Sequence, residues 1–333
     1  MGMPLSAVDQ VRGKAGRDAF QDALVDLGRT HAEVVIVGAD TFRSIRGEAF
    51  EKAYPDRSFN LGIAEQNAVG VAAGLAIGGK VPIVLLFGFT IARALEQVKS
   101  SICYPNLNVK LVSNSTGLDM GEGGVTHHCT EDIALLRVLA NMTIVQPGSA
   151  LEVVYATRAL IEQIKGPAYL RHTRQKYSEE AEQALEQFYL GGGVFEVGRA
   201  ILLRDGADVT LIGSGLTVGL ALQTAAALAA DGVQARVINL HTIKPLDAEA
   251  IVRAARETKA IVTIEDHNVL GGLGEGVSAL VTTHHPTRVL HVGIQDTFCE
   301  VGSPKALWAQ HGLLPGRIAE QTKSLLSGRE QQT

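Results

Sequence analysis

The chain is predicted to be an α/β protein of two domains, each a mostly parallel sheet with helices on both faces. Short β-branched runs alternate with longer amphipathic segments from one end to the other. The strand candidates are almost wholly apolar, as strands buried on both faces must be. The 36 glycines are spread along the chain, which suits many strand-to-helix turns. A length of 333 residues is enough for about two domains of ordinary size.

The elements follow in order. A helix is read at 17–29. The run Val34-Val35-Ile36-Val37 is the first strand. A helix at 65–77 opens with Glu65, and strands at 83–87 and 109–113 enclose a helix at 92–101. A helix at 131–139 opens with Glu131 and Asp132; a strand at 143–146, a helix at 150–164 and a strand at 168–171 complete the first half. The pattern stops at 175–190, a polar, acidic stretch ending in Gly191-Gly192-Gly193, which is the best boundary. The domains are therefore read as 13–178 and 197–328, joined by a linker at 179–196. Strands at 209–212, 235–239, 261–265 and 289–292 and helices at 218–230, 248–257 and 274–281 make up the second domain.

Composition excludes several classes of function. A net charge of -5 does not suit a general nucleic-acid binder. The one dense basic run, Arg171, His172, Arg174 and Lys176, is short and reads as a solvated loop or an anion site. No apolar run is long and uncharged enough to span a bilayer, and the N-terminus lacks the apolar core of a signal peptide. Cys103, Cys129 and Cys299 show no Cys-x-x-Cys spacing. The expectation is a cytoplasmic protein with reduced thiols and no membrane contact.

Two strings stand out: Gly62-Ile63-Ala64-Glu65-Gln66-Asn67, and the glycine-rich loop Gly121-Glu122-Gly123-Gly124-Val125-Thr126-His127-His128. A glutamate in the first turn of a helix is favoured by the helix dipole and needs no catalytic role. Adjacent histidines cannot readily wrap one tetrahedral ion, so zinc is disfavoured in the loop. His284-His285, before Pro286, reads as an exposed turn. Gly213-Ser214-Gly215 follows a strand, but Val218 stands where a dinucleotide fingerprint needs glycine, and 271–276 fails the same test. Neither a Gly-x-Ser-x-Gly elbow nor a Gly-Lys-Ser/Thr phosphate loop is present.

Taken together, long strings in a fixed order carry a resemblance. Besides the two above they are Ala72-Ala73-Gly74-Leu75-Ala76, Arg93-Ala94-Leu95-Glu96-Gln97, Tyr104-Pro105-Asn106-Leu107-Asn108-Val109 and Glu131-Asp132-Ile133-Ala134. The second half adds Thr242-Ile243-Lys244-Pro245-Leu246-Asp247 and Glu265-Asp266-His267 with Gly271-Gly272-Leu273-Gly274. From about Gly13 to Leu326 the sequence resembles the C-terminal half of transketolases, in the form where the enzyme is split into two chains. The resemblance implies a pyrimidine-binding domain followed by a transketolase C-terminal domain.

It also implies roles. A glutamate at the position of Glu65 hydrogen-bonds N1′ of thiamine diphosphate and activates the cofactor, which does the carbon chemistry. Phe87 and Phe89 stand where the family packs aromatics on the pyrimidine ring, Arg93 lies beside them, and Asp40 matches an acidic residue near the cofactor. His127 matches the histidine that contacts the donor ketose, a task suited to an imidazole. Arg17, Ser44 and Arg174 match positions used for sugar phosphate. Two positions depart: Gly123 replaces an aspartate that reads a sugar hydroxyl, and Ser115 replaces a histidine near the phosphate. The expected donor or acceptor is accordingly an unusual sugar or small aldehyde.

The family also needs a diphosphate clamp with Mg²⁺ (or Ca²⁺) on a Gly-Asp-Gly segment, and this chain has no such segment. The resemblance therefore implies an N-terminal partner subunit holding the metal, in an assembly of two copies of each chain (α2β2), with this chain silent alone. Competing readings are the β subunit of a 2-oxo acid dehydrogenase, a deoxyxylulose phosphate synthase, whose diphosphate domain would have to be present, and a non-catalytic scaffold on the same fold.

Overall fold

The computed structural model describes residues 11–328; the first ten residues, on which the signal-peptide reading falls, lie outside the described residues. Twelve strands are present among the described residues: β1 Val34–Gly38, β2 Ser58–Asn60, β3 Val81–Leu85, β4 Lys110–Ser113, β5 Thr143–Val145, β6 Ala168–Arg171, β7 Ile201–Arg204, β8 Val209–Gly213, β9 Ala235–Asn239, β10 Thr242–Lys244, β11 Ala260–Asn268 and β12 Arg288–Ile294. They form two sheets, of order β10-β5-β6-β4-β3-β1-β2 and β12-β11-β8-β9-β7. Every pairing is parallel except β10 on β5 and β7 on β9. The central strands β1, β3, β4, β6 and β8 are buried along their whole length, including Lys110 in β4 and Arg171 in β6, as strands covered on both faces must be.

Helix Gly16–Thr30 buries Phe20, Leu24 and Leu27, which pack with Leu151, Val154 and Leu160 of helix Ala150–Glu162 in one core cluster. Each such side chain contributes about 1.5–3 kcal/mol. A second cluster runs without a break from Ile144 and Tyr169 in the first sheet to Leu240, Ile261 and Leu273 in the second half.

Several features differ from the sequence expectation. The stretch read as a linker holds a helix, Glu179–Leu190, capped by Ser178 and burying Ala181, Leu185 and Tyr189. Four-residue spacing hides that apolar stripe within an acidic composition. The helix expected at 92–101 is a 3-10 segment, Gly88–Ala94, then a short α turn, Leu95–Gln97, then π-helix Val98–Cys103. Its start is crowded: a Cβ on Gly88 would lie 2.6 Å from Cys129 Sγ and 2.8 Å from the Ser115 carbonyl oxygen. Strands β2, β7 and β10 are short, and the terminal helices Pro304–Gln310 and Pro315–Ser327 were also not expected. Most consequential is β10, which comes from the second half of the chain yet pairs with β5 at the edge of the first sheet. Among the described residues no helix is long and apolar enough to cross a membrane.

Candidate active site

Because β1, β2, β3, β4 and β6 run in one direction, the residues that follow them share one edge of the sheet. Ligands of open α/β sheets collect at that carboxyl edge. All the residues singled out from the sequence, apart from Arg17, lie on segments that continue from it.

After β1 and β2, one side chain ties two turns together. Asn60 Oδ1 accepts from the Asp40 amide at 3.0 Å and from the Gly62 amide at 3.2 Å. Asp40 has φ +60° and Gly62 φ +70°, left-handed conformations that reverse the chain. The second turn delivers Glu65 as the first residue of helix Glu65–Ile77. Glu65 is only 4% exposed. Its carboxylate pairs with Arg93, 3.0 Å from Nη1 to Oε2 and 3.3 Å to Oε1, and the Arg93 side chain is 61% exposed. The carboxylate is sheltered while its counter-ion stays in water.

After β3, Phe87 and Phe89 stack nearly parallel, with centroids 5.1 Å apart and planes at 9°. The His127 ring lies 4.8 Å from Phe89, and its Nδ1 is 2.9 Å from Thr126 Oγ1. Gly123 sits directly beneath: a Cβ there would be 2.7 Å from His127 Cβ and 2.8 Å from its Cγ. The missing side chain at 123 thus leaves the space in which His127 stands. His128 turns the other way and is buried, with Nε2 3.2 Å from the Gly121 carbonyl oxygen. Among the described residues no group of three or more His, Cys, Asp or Glu side chains is placed to hold a metal.

Ser44 and Ser115 meet through a residue the sequence reading did not single out. Asn114 Nδ2 donates to the Ser44 carbonyl at 3.1 Å, and its Oδ1 accepts from Ser115 Oγ at 3.1 Å. Ser115 is almost fully buried, with its hydroxyl committed to Asn114. Arg17 and Arg174 lie close enough to repel one another, and Arg46 joins them; burial first, then these two guanidinium groups, lower the pKa of Arg17. Arg17 Nε is shielded from solvent and has no hydrogen-bond partner. Arg46 is held by Asp18 at 2.9 Å. Asp119 accepts from Thr173 Oγ1, the Arg174 amide and Gln175 Nε2 at 2.8–3.0 Å. Its short distance from Gly121 in sequence was the one signal that could have found it.

The basic run proves to be neither a solvated loop nor, as a whole, an anion site. Arg171 and His172 are buried; Arg174 is half-buried, and only Lys176 is exposed. His172 stacks on Phe20 with centroids 5.1 Å apart, and burial pushes its pKa down to about 4. His284 and His285 lie at the exposed end of helix Leu273–His284.

Comparison with known proteins agrees with this architecture. Residues 12–180 match the pyrimidine-binding domain of transketolase, and residues 198–318 match the transketolase C-terminal domain. The chain is 36% identical over 306 residues to the 6-deoxy-6-sulfo-D-fructose transketolase subunit of Clostridium sp. (strain MSTE9), covering 91% of each chain. It is 38% identical over 302 residues to an apulose-4-phosphate transketolase subunit of Phocaeicola vulgatus, covering 90% of this chain and 93% of that one. A solved structure described as a split gene transketolase, inactive beta4 tetramer, matches with a TM-score of 0.84 at 37% identity, over 96% of this chain and 100% of the other. Fold and matched domains define a pyrimidine-domain protein of the α/β class. More narrowly, the chain belongs to the transketolase family.

Proposed function

We propose that this chain is the C-terminal subunit of a two-chain transketolase that moves a two-carbon ketol unit from a ketose donor to an aldehyde acceptor. One observation carries the reading: the buried carboxylate of Glu65 opens a helix at the sheet edge that also presents the ring face of Phe87, Phe89 and His127. The inactive tetramer named for the solved relative supports the view that such a chain is silent without an N-terminal partner. In this reading residues 13–178 form the pyrimidine domain, 197–328 the C-terminal domain and 179–196 the connection. The assembly is cytoplasmic, with two copies of each chain, and Mg²⁺ (or Ca²⁺) sits on the partner.

The residues present fit the aminopyrimidine end of thiamine diphosphate. Glu65 has an exposed counter-ion in Arg93, so a ring nitrogen can engage the carboxylate without stranding a buried cation. Phe87 and Phe89 offer an aromatic wall for a flat ring. When bound, the cofactor supplies the nucleophilic carbon and the electron sink for cleaving a carbon–carbon bond. Glu65 then holds a proton between its carboxylate oxygen and the ring nitrogen N1′, and Asp40 lies on the neighbouring turn beside it. His127 keeps Nδ1 on Thr126, which leaves Nε2 to hold or release a proton at a substrate hydroxyl. Arg17, Arg174 and Ser44 bind the anionic end of the sugar.

Gly123 and Ser115 favour a substrate other than the common pentose phosphates. The substrates in the names of the two relatives, a 6-deoxy-6-sulfo-fructose and apulose 4-phosphate, support an anionic, unusual sugar. The test is reconstitution with the partner subunit, thiamine diphosphate and Mg²⁺, followed by a donor and acceptor screen. Ketol transfer best on xylulose 5-phosphate plus ribose 5-phosphate would overturn the substrate reading. Carbon dioxide release from a 2-oxo acid, or no turnover with any pair, would overturn the activity.

A further inference from the structure

The loop that carries His127 leaves the first sheet after β4 and closes on itself through an antiparallel bridge. The Gly117 amide donates to Cys129 at 2.8 Å and the Cys129 amide returns a bond of 2.9 Å. The base of this loop rests on the second sheet. A Cβ on Gly117 would lie 2.2 Å from Asp266 Oδ2 and 2.7 Å from the Asp266 carbonyl oxygen. Just past the bridge, the Asn268 amide donates to the Thr130 carbonyl at 2.7 Å. Asp266 and Asn268 both belong to β11.

Between loop and strand lies Arg171, the last residue of β6 and wholly buried. Its Nε donates to Asp132 Oδ2 at 2.8 Å and its Nη1 to Asp266 Oδ1 at 2.7 Å. Nη2 reaches the carbonyl oxygens of Cys129 at 3.3 Å and Asp266 at 3.4 Å. Asp132 opens the helix that follows the loop and is further held by the Tyr169 hydroxyl at 2.6 Å. Gln146 Nε2 lies 3.3 Å from Asp266 Oδ1 and its Oε1 accepts from Ser214 Oγ at 3.1 Å, extending the network into the second sheet.

A guanidinium removed from water must satisfy its N–H groups in fixed directions. Here some of those directions end on the loop base and the rest on β11. Arg171 is therefore a joint between the two, and Gly117 permits the close approach that the joint needs. We propose that Arg171 and Asp266 are positioning residues for ketol transfer: they pin the base of loop 117–129 to β11 and so hold His127 against Phe89. This rests on the role given to His127 in the proposed function.

Arg171→Ala would strand two buried carboxylates and is expected not to fold, so the test uses gentler changes. Asp266→Asn keeps the shape and the Oδ1 acceptor and leaves Arg171 neutralised by Asp132. Gly117→Ala wedges a methyl between the loop base and Asp266 and strains a backbone at φ +54°. Each is made with His127 present and with His127→Ala, in the enzyme reconstituted with its partner, and kcat/KM for the donor is measured. A fall of roughly 10-fold with His127 and under about 2-fold without it is expected, because coupled residues depart from additivity. An equal fall in both backgrounds means a structural role only and overturns the proposal. Hydrogen exchange on the full-length chain, read by mass spectrometry, decides independently of activity. Both variants are expected to exchange faster across 117–129, with helices Gly16–Thr30 and Thr217–Ala230 unchanged; unaltered protection of the loop, or a uniform rise across the chain, overturns the proposal. Failure of the wild-type pair to transfer a ketol unit would sink the functional reading alone, and the exchange experiment would still decide whether the joint exists.

Discussion

At the scale of single residues, the carboxylate at position 65 is the most consequential group. Glu65→Gln retains the volume and the helix but cannot share an anionic oxygen with a protonated ring. Turnover of the reconstituted enzyme is expected to fall by about 10²–10⁴, the usual worth of an acid–base group, with an unchanged circular dichroism spectrum. Near-normal turnover would remove Glu65 from its role. Gly123→Asp tests one of the two departures from the family pattern. The new Cβ would fall 2.7 Å from His127 Cβ, so His127 must shift, and the variant is expected to lower activity instead of restoring a sugar-hydroxyl contact. Increased kcat/KM on a standard pentose phosphate would contradict this.

His172 gives a residue-scale prediction about pH. Its folded pKa is pushed down to about 4 from 6.5, so between those values the unfolded chain binds the extra proton. The stability tied to the neutral ring is fully present above pH 6.5 and is lost as the pH falls toward 4, by about 3 kcal/mol in all. His172→Phe keeps the stack on Phe20 and removes the titration. The urea midpoint of the variant is expected to fall less than that of the wild type over this window. Parallel curves would refute the assignment. Glu65, Arg93 and His127 were legible in the sequence because they sit in distinctive strings. Arg46, Asn114 and Asp119 were not, because each acquires its place only when segments far apart in the chain fold onto one sheet edge.

At the scale of elements, periodicity revealed the long, strongly patterned pieces and missed the short or disguised ones. Helix Ala150–Glu162 was legible from its apolar repeat, and its start is fixed by Ser149, whose hydroxyl accepts from the Glu152 amide at 3.1 Å. Ser149→Ala is expected to cost about 1 kcal/mol, measured by chemical denaturation; no loss would mean that packing alone fixes the helix start. Helix Glu179–Leu190 escaped because three glutamates crowd its first turn and conceal its apolar stripe. The irregular helical turns between Gly88 and Cys103 read as one helix at 92–101 because contacts across the fold, not local preference, decide their geometry. Edge strands such as Thr242–Lys244 carry too few residues to establish a period.

At the scale of the whole molecule, the chain is expected to be silent alone and to gain activity with a partner subunit. Native mass spectrometry of the tagged chain, purified from its own host with thiamine diphosphate and Mg²⁺, is expected to find a complex with a second chain. Repeated recovery of a homo-oligomer without cofactor would shift weight to a scaffold role. The mostly parallel character of both sheets was legible because their central strands are built on apolar runs such as Val34–Val37 and Val209–Ile212. How the halves interlock was not, since nothing local announces that β10 crosses to the other sheet.

That crossing has a consequence for how the molecule can be taken apart. A protease that nicks the chain at Gly191-Gly192-Gly193 leaves one fragment with an open edge at β5 and the other with the strand that closes it. The fragments also share an unbroken apolar core. A cut there should therefore sever the backbone without separating the pieces, which would travel as one particle through a sizing column and come apart only in denaturant.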